Sequence, residues 1–133
     1  MNRLPFLDEA IEPRVHTYMR QQLKDVGCPV RIINGMPDHV HCLFLLSPQK
    51  SIAEVIKQVK GSTSHWINHR EELAQRCLQN VGQSFTWQTG YAAYSVSESV
   101  GDKVYQYILH QKEHHKQRSF QEEYEEFMAL HNA

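Results

Sequence analysis

The sequence predicts one α+β domain, on three observations. Two runs rich in β-branched and aliphatic residues, 28–34 and 39–46, flank a cluster of turn residues, which is the pattern of an antiparallel hairpin. Three further stretches carry apolar residues at helical spacing. A length of 133 residues supports a single core without disulfide or metal staples, so one domain is expected over 1–133.

The first helix is expected from about residue 13 to 26. Asp8 can cap a first turn, and Glu12-Pro13 fits an N-cap and N1 pair. Val15, Tyr18, Met19, Leu23 and Val26 recur at helical spacing, and Gly27 closes the helix. Cys28-Pro29-Val30-Arg31-Ile32-Ile33-Asn34 is the first strand, with Val30 and Ile32 on one face. Asn34-Gly35 and Met36-Pro37-Asp38 form the turn, because glycine accepts unusual φ and proline fixes it. His39 to Leu46 is the second strand.

Ser51-Ile52-Ala53-Glu54 is a capping box and opens a second helix, whose apolar side is Ile52, Val55, Ile56, Val59, Trp66 and Ile67. Its glycine, in Lys60-Gly61-Ser62, costs about 1 kcal/mol relative to alanine and calls for the close approach of another backbone, protein or nucleic acid. Residues 71–84 read as a helix end and a surface loop. The run 85–96 reads as a strand with an irregularity at Gly90, in which Trp87, Tyr91 and Tyr94 serve as sheet or core aromatics. Ser97 caps a helix reaching Lys112, with Val100, Val104, Ile108 and Leu109 inward. Ser119-Phe120-Gln121-Glu122 opens a short acidic helix to Leu130.

Composition excludes several classes. Apolar residues make up 41% and charged residues 22%, and the formal net charge is −1, so bulk charge does not mark a polyanion binder. The charge is uneven: residues 1–70 carry nine Lys/Arg against six Asp/Glu, and 71–133 carry five against nine. A local basic patch is compatible with that balance. Three cysteines form no Cys-x-x-Cys pair, and no apolar run approaches membrane-spanning length. The expectation is a cytoplasmic protein with no membrane partner.

Four residues suggest chemistry. His39 and His41 alternate with Val40, so they share one face of a strand, with Cβ atoms roughly 6.5 Å apart. Two imidazoles so placed can close on one ion, although a His-x-His pair alone is more often a coincidence. Tyr107 and Gln111 are four residues apart and share a helix face. Two histidines and the Gln111 amide oxygen make three neutral ligands with positions left open, which favours Mg2+ or Mn2+ and a phosphate substrate over zinc. Tyrosine beside such an ion is a candidate nucleophile at phosphorus. On the second helix Lys57, Lys60, Ser62, Ser64 and His65 are suited to phosphate oxygens, as is Arg118 after the tyrosine helix. A plain solvated face explains the second-helix residues slightly better.

Pro37-Asp38-His39-Val40-His41 and its apolar strand resemble the histidine–hydrophobe–histidine motif of the single-tyrosine HUH transposases of insertion sequences, the transposase-200-like family. Val59-Lys60-Gly61-Ser62, Trp66-Ile67-Asn68, Trp87-Gln88-Thr89-Gly90-Tyr91, Ser95-Val96-Ser97 and Tyr107-Ile108-Leu109-His110-Gln111 follow in the family's order. The branch associated with repetitive extragenic palindromes is closest in flavour. The resemblance implies a ferredoxin-like, RNA-recognition-like sandwich of an antiparallel sheet with helices on one face. It implies a metal on His39, His41 and Gln111, with Tyr107 as nucleophile. It also implies cleavage and rejoining of single-stranded DNA beside a hairpin through a 5′-phosphotyrosine, by a homodimer. The family's first strand precedes the segment matched by Arg3 to Leu7 and is expected to be missing, leaving an edge open to a second chain. Two other readings stand beside this one. One is an inactive or domesticated remnant that binds DNA hairpins. The other is a metal- or ligand-binding enzyme using the histidines alone.

Overall fold

The structure is a computed structural model and describes residues 4–87, 91–93 and 95–115. The order of elements is α1 (Glu12–Asp25), β1 (Val30–Met36), β2 (His39–Phe44), α2 (Ile52–His69), α3 (Glu71–Val81), α4 (Glu98–Leu109) and α5 (Gln111–His115). The class is α+β: a two-stranded antiparallel sheet with helices packed against it.

α1 starts where Asp8 accepts from the backbone N–H groups of Ala10 (3.1 Å) and Ile11 (3.3 Å). The N-cap position falls on Ile11, one residue before the expected Glu12. The reason is that the Asp8 carboxylate already holds the turn. Gly27, at φ 81°, ends the helix in the left-handed region that L side chains avoid. α2 begins with the full capping box: Ser51 Oγ accepts from Glu54 N (3.1 Å), and Glu54 Oε1 accepts from Ser51 N (3.2 Å).

β1 and β2 pair with Met36 opposite His39 and Asn34 opposite His41. The turn is therefore Pro37-Asp38 alone, and Asn34-Gly35 belongs to the strand, contrary to the sequence reading. Gly35 is there for space and has no positive φ. A Cβ at that position would collide with the His39 carbonyl oxygen and stand 3.0 Å from Val40 Cα. β2 stops at Phe44, and Leu45 and Leu46 are exposed.

An extra residue, Arg31, sits between the Val30–Phe44 and Ile32–Leu43 pairs. Val30 and Ile32 consequently face opposite sides, because a bulge inverts the alternation that placed them together. Val30, Ile33, Val40, Cys42 and Phe44 pack against the main core, which is built from α1, α2, α3 and the Phe6–Leu7 segment. Ile32 and Leu43 pack on the other face, against Val104, Tyr107 and Ile108 of α4.

Residues 71–81 form α3 rather than a helix end and loop. Leu73 and Cys77, one turn apart, are buried, Glu71 and Glu72 suit its first turn, and Gly82 (φ 85°) closes it. Residues 85–87 are not a strand. Asn68 takes up their backbone: its amide donates to Phe85 O (2.9 Å) and accepts from Phe85 N (3.1 Å). Trp87 Nε1 donates to Lys60 O (2.8 Å), so this segment is laced to α2 rather than to the sheet. Residues 91–93 and 95–97 are not strand either, and Gln88, Thr89, Gly90 and Tyr94 lie outside the described residues. So does the expected acidic last helix. α2 runs unbroken through Gly61, beside which a Cβ would meet nothing within 4 Å. No protein backbone accounts for that glycine among the described residues.

Candidate active site

The site lies on the α4 face of the sheet. His39 and His41 project there from β2, with ring centroids 5.2 Å apart. The Tyr107 ring stacks 6.5 Å from that of His41. The expected helix through Lys112 is interrupted at His110, and α5 begins at Gln111. Gln111 still reaches the histidines: its Nε2 lies 2.8 Å from His39 Nε2, and its side chain is 0% exposed. His39, His41, Tyr107 and Gln111 thus meet within one chain.

The tautomer of His39 follows from its partners. Asp38 Oδ1, a carboxylate oxygen, lies 2.7 Å from Nδ1, so Nδ1 donates and Nε2 keeps its lone pair. Gln111 Nε2 donates to that lone pair. The other amide atom, Gln111 Oε1, is buried and has no hydrogen-bond partner among the described residues. A half-turn of the amide exchanges the two atoms. The oxygen would then lie where the nitrogen does, beside the His39 lone pair that a cation would use. A carboxylate-oriented imidazole and an orphaned amide oxygen at this spacing fit a divalent cation. No group of three or more His, Cys, Asp or Glu residues could hold one among the described residues. The donor set therefore depends on the glutamine. Cys42 follows His41 but faces the main core, where burial pushes its thiol up to about 12 and removes it as a ligand.

Tyr107 is only 5% exposed, packed with Ile32, Val104 and Ile108. The phenol is positioned but covered in this arrangement.

The α2 residues lie elsewhere. α2 packs on α1 and α3, not on α4 or α5. Lys57 and His65 are exposed, and the His65 ring stacks on His69 at 3.9 Å. Ser62 Oγ donates to Val59 O (3.3 Å) and Ser64 Oγ to Gly61 O (3.2 Å), so both hydroxyl protons are used on their own helix. Lys60 reaches over the Trp87 ring, 5.9 Å from its centroid, and partial burial lowers its pKa. Arg118 lies outside the described residues.

Sequence reasoning missed Asn34 and Lys112. Asn34 Nδ2 donates to Ile108 O (2.9 Å) and Leu109 O (3.3 Å) at the end of α4. Lys112 Nζ donates to Asn34 Oδ1 and Gly35 O, both at 2.8 Å, and pairs with buried Glu12 at 2.6 Å. The turn propensity of Asn-Gly hid Asn34, and no local signal marked Lys112.

A tyrosine-bearing helix is laid over a histidine-bearing hairpin, and comparison with known proteins names the family. The profile described as IS200-like transposase matches residues 1–111, and the chain belongs to that family. The ISDra2 transposase TnpA of Deinococcus radiodurans is 29% identical over 102 residues, covering 71% of this chain and 70% of that protein. A crystal structure assigned as a transposase from Deinococcus radiodurans superposes with a TM-score of 0.56 at 23% identity, covering 80% of each chain. That likeness is one of fold. No helix among the described residues is long and apolar enough to cross a membrane.

Proposed function

We propose that this transposase cuts and rejoins single-stranded DNA beside a hairpin, with Tyr107 as nucleophile and Mg2+ or Mn2+ held by His39, His41 and Gln111. One observation carries the reading: the Tyr107 ring lies beside His41 while the Gln111 amide, its oxygen buried and without a hydrogen-bond partner among the described residues, lies beside His39. The bound cation would polarise the scissile phosphate. Asp38 holds His39 in the tautomer that presents Nε2. The Tyr107 oxygen forms the bond to phosphorus as the bond to the 3′ oxygen breaks. The phenolic proton is lost to solvent and the 3′ oxygen leaves as a hydroxyl. The 5′-phosphotyrosine keeps the energy of the cut bond, so reversal by another 3′-hydroxyl rejoins a strand without a co-reactant.

Lys57, Lys60, His65 and Arg118 are proposed as phosphate contacts for the hairpin, joined by Ser62 and Ser64 once their hydroxyls turn from the α2 carbonyls, and a homodimer would cut the two ends of an element. Such contacts make binding weaken steeply with salt.

The test is incubation with labelled single-stranded hairpin DNA and Mn2+, followed by a denaturing gel. A covalent band is expected from the parent chain and none from Tyr107→Phe. Equal bands from both remove Tyr107 from the reaction. The covering of Tyr107, at 5% exposure, favours a second reading, a domain that binds hairpins without cutting them. That reading gives salt-sensitive binding and no band at any Mn2+ concentration.

A further inference from the structure

We propose that Asn34 is the positioning residue of this site: it sets the nucleophile helix against the histidine strand, while Lys112 sets Gln111. The inference rests on the reading above, in which Tyr107 and Gln111 serve the reaction.

Asn34 touches a chain neighbour or a strand partner of each group except His39. It pairs with His41 across the sheet, on the face where His39 and His41 lie. Its Nδ2 donates to the carbonyl of Ile108, the residue after Tyr107. Its Oδ1 accepts from Lys112, the residue after Gln111.

Both side chains are saturated. An amide has two protons and two acceptor sites. The protons go to Ile108 O and Leu109 O, and the acceptor sites receive Gly35 N (2.9 Å) and Lys112 Nζ (2.8 Å). The amide cannot be reversed without setting NH2 against two donors. Lys112 likewise has three protons and three acceptors: Asn34 Oδ1, Gly35 O and Glu12 Oε1. Glu12 is buried on α1, so the chain of contacts runs from α1 through Lys112 and Asn34 to the end of α4.

The break at His110 explains why a clamp is needed. In a continuous helix Tyr107 and Gln111 would share a face by backbone geometry alone. Here α4 ends at Leu109 with carbonyls that the helix cannot satisfy, and α5 restarts at Gln111. Asn34 caps the first piece and, through Lys112, ties down the second. The two arms are separable, and that makes the role testable.

Asn34→Asp keeps the acceptor for Lys112 but loses both donors and sets a negative charge against the α4 carbonyls. The result expected is unchanged Mn2+ affinity by calorimetry and a single-turnover rate of adduct formation at saturating Mn2+ about 100-fold lower, the scale on which misplacement of a reacting group acts. Lys112→Met breaks the other arm, and Mn2+ affinity should fall about 10-fold, as for other outer-shell partners of a metal ligand. A purely structural role would move affinity, rate and thermal midpoint together in both variants. That parallel loss overturns the proposal, as does an Asn34→Asp protein that forms adduct at the parental rate. If Asn34→Asp does not fold, Lys112→Met decides alone, and parental Mn2+ affinity there overturns it. A parent chain that neither binds Mn2+ nor forms adduct refutes the proposed reaction, and the assignment of Asn34 with it. An active parent with an unaffected Asn34→Asp refutes the clamp only.

Discussion

Two glycine-to-alanine changes should move stability in opposite directions, and their contrast tests the hairpin geometry. At Gly35 the atoms in the way are the His39 carbonyl oxygen and carbon and Val40 Cα, all backbone atoms of the partner strand. They cannot rotate aside, so the strands must separate. Overpacking of this kind costs about 1–3 kcal/mol, and the entropy lost from the unfolded chain returns somewhat under 1 kcal/mol. A net loss of about 1 kcal/mol lowers the thermal midpoint of a chain this size by about 3–5 °C. At Gly61 no heavy atom lies within 4 Å of the added carbon, and the position is inside α2. Alanine there should gain about 0.5–1 kcal/mol, raising the midpoint by about 2–4 °C. Thermal unfolding followed by circular dichroism measures both. The Gly35 variant should also bind Mn2+ less tightly, because the displaced carbonyl belongs to His39. If both midpoints rise, or Gly35→Ala leaves midpoint and metal affinity untouched, the account of why glycine stands in β1 is wrong.

Asp38→Ala should weaken Mn2+ binding by about 10- to 100-fold through loss of the His39 tautomer, which calorimetry would reveal; equal affinities would show that Asp38 orients nothing. Asn68→Ala leaves the Phe85 backbone without its side-chain partners and should cost about 2 kcal/mol in urea unfolding, whereas a change under about 0.5 kcal/mol would deny the docking role. His16 is buried, and burial together with the Lys112 ammonium lowers its pKa to about 4. Its unfolded form takes up a proton below about 6.5 that the native form refuses, so stability is lost as pH falls from about 6.5 towards 4, by about 3 kcal/mol in all. His16→Leu should flatten that slope; an unchanged slope would place the titration elsewhere.

Local rules read much of this chain correctly. The Ser51 capping box, the Gly27 stop and the two-strand hairpin are contained in a few adjacent residues, and each appears as expected. The shared face of His39 and His41 follows from alternation along β2 alone. Distant partners decided the rest. Residues 85–87 have strand composition, but Asn68 and Lys60 on α2 claimed their hydrogen bonds first. The Asn-Gly pair has turn propensity, but the turn formed at Pro37-Asp38, and Asn34 found four partners instead. α3 carries local signals too, Gly82 and the paired glutamates, but they are masked by an apolar stripe of only two buried residues.

Arg31 is one residue too many for its strand, and that surplus decides which way the amide of Asn34 looks. Counting by twos from Val30, an even ladder would send Ile32 and Asn34 into the main core. The added step turns both outward, beneath the tyrosine helix. Pairing Arg31 into an even ladder would bury a carboxamide among aliphatic side chains and strip α4 of its fastening, so a defect in the sheet is what lets a strand hold the blade in place.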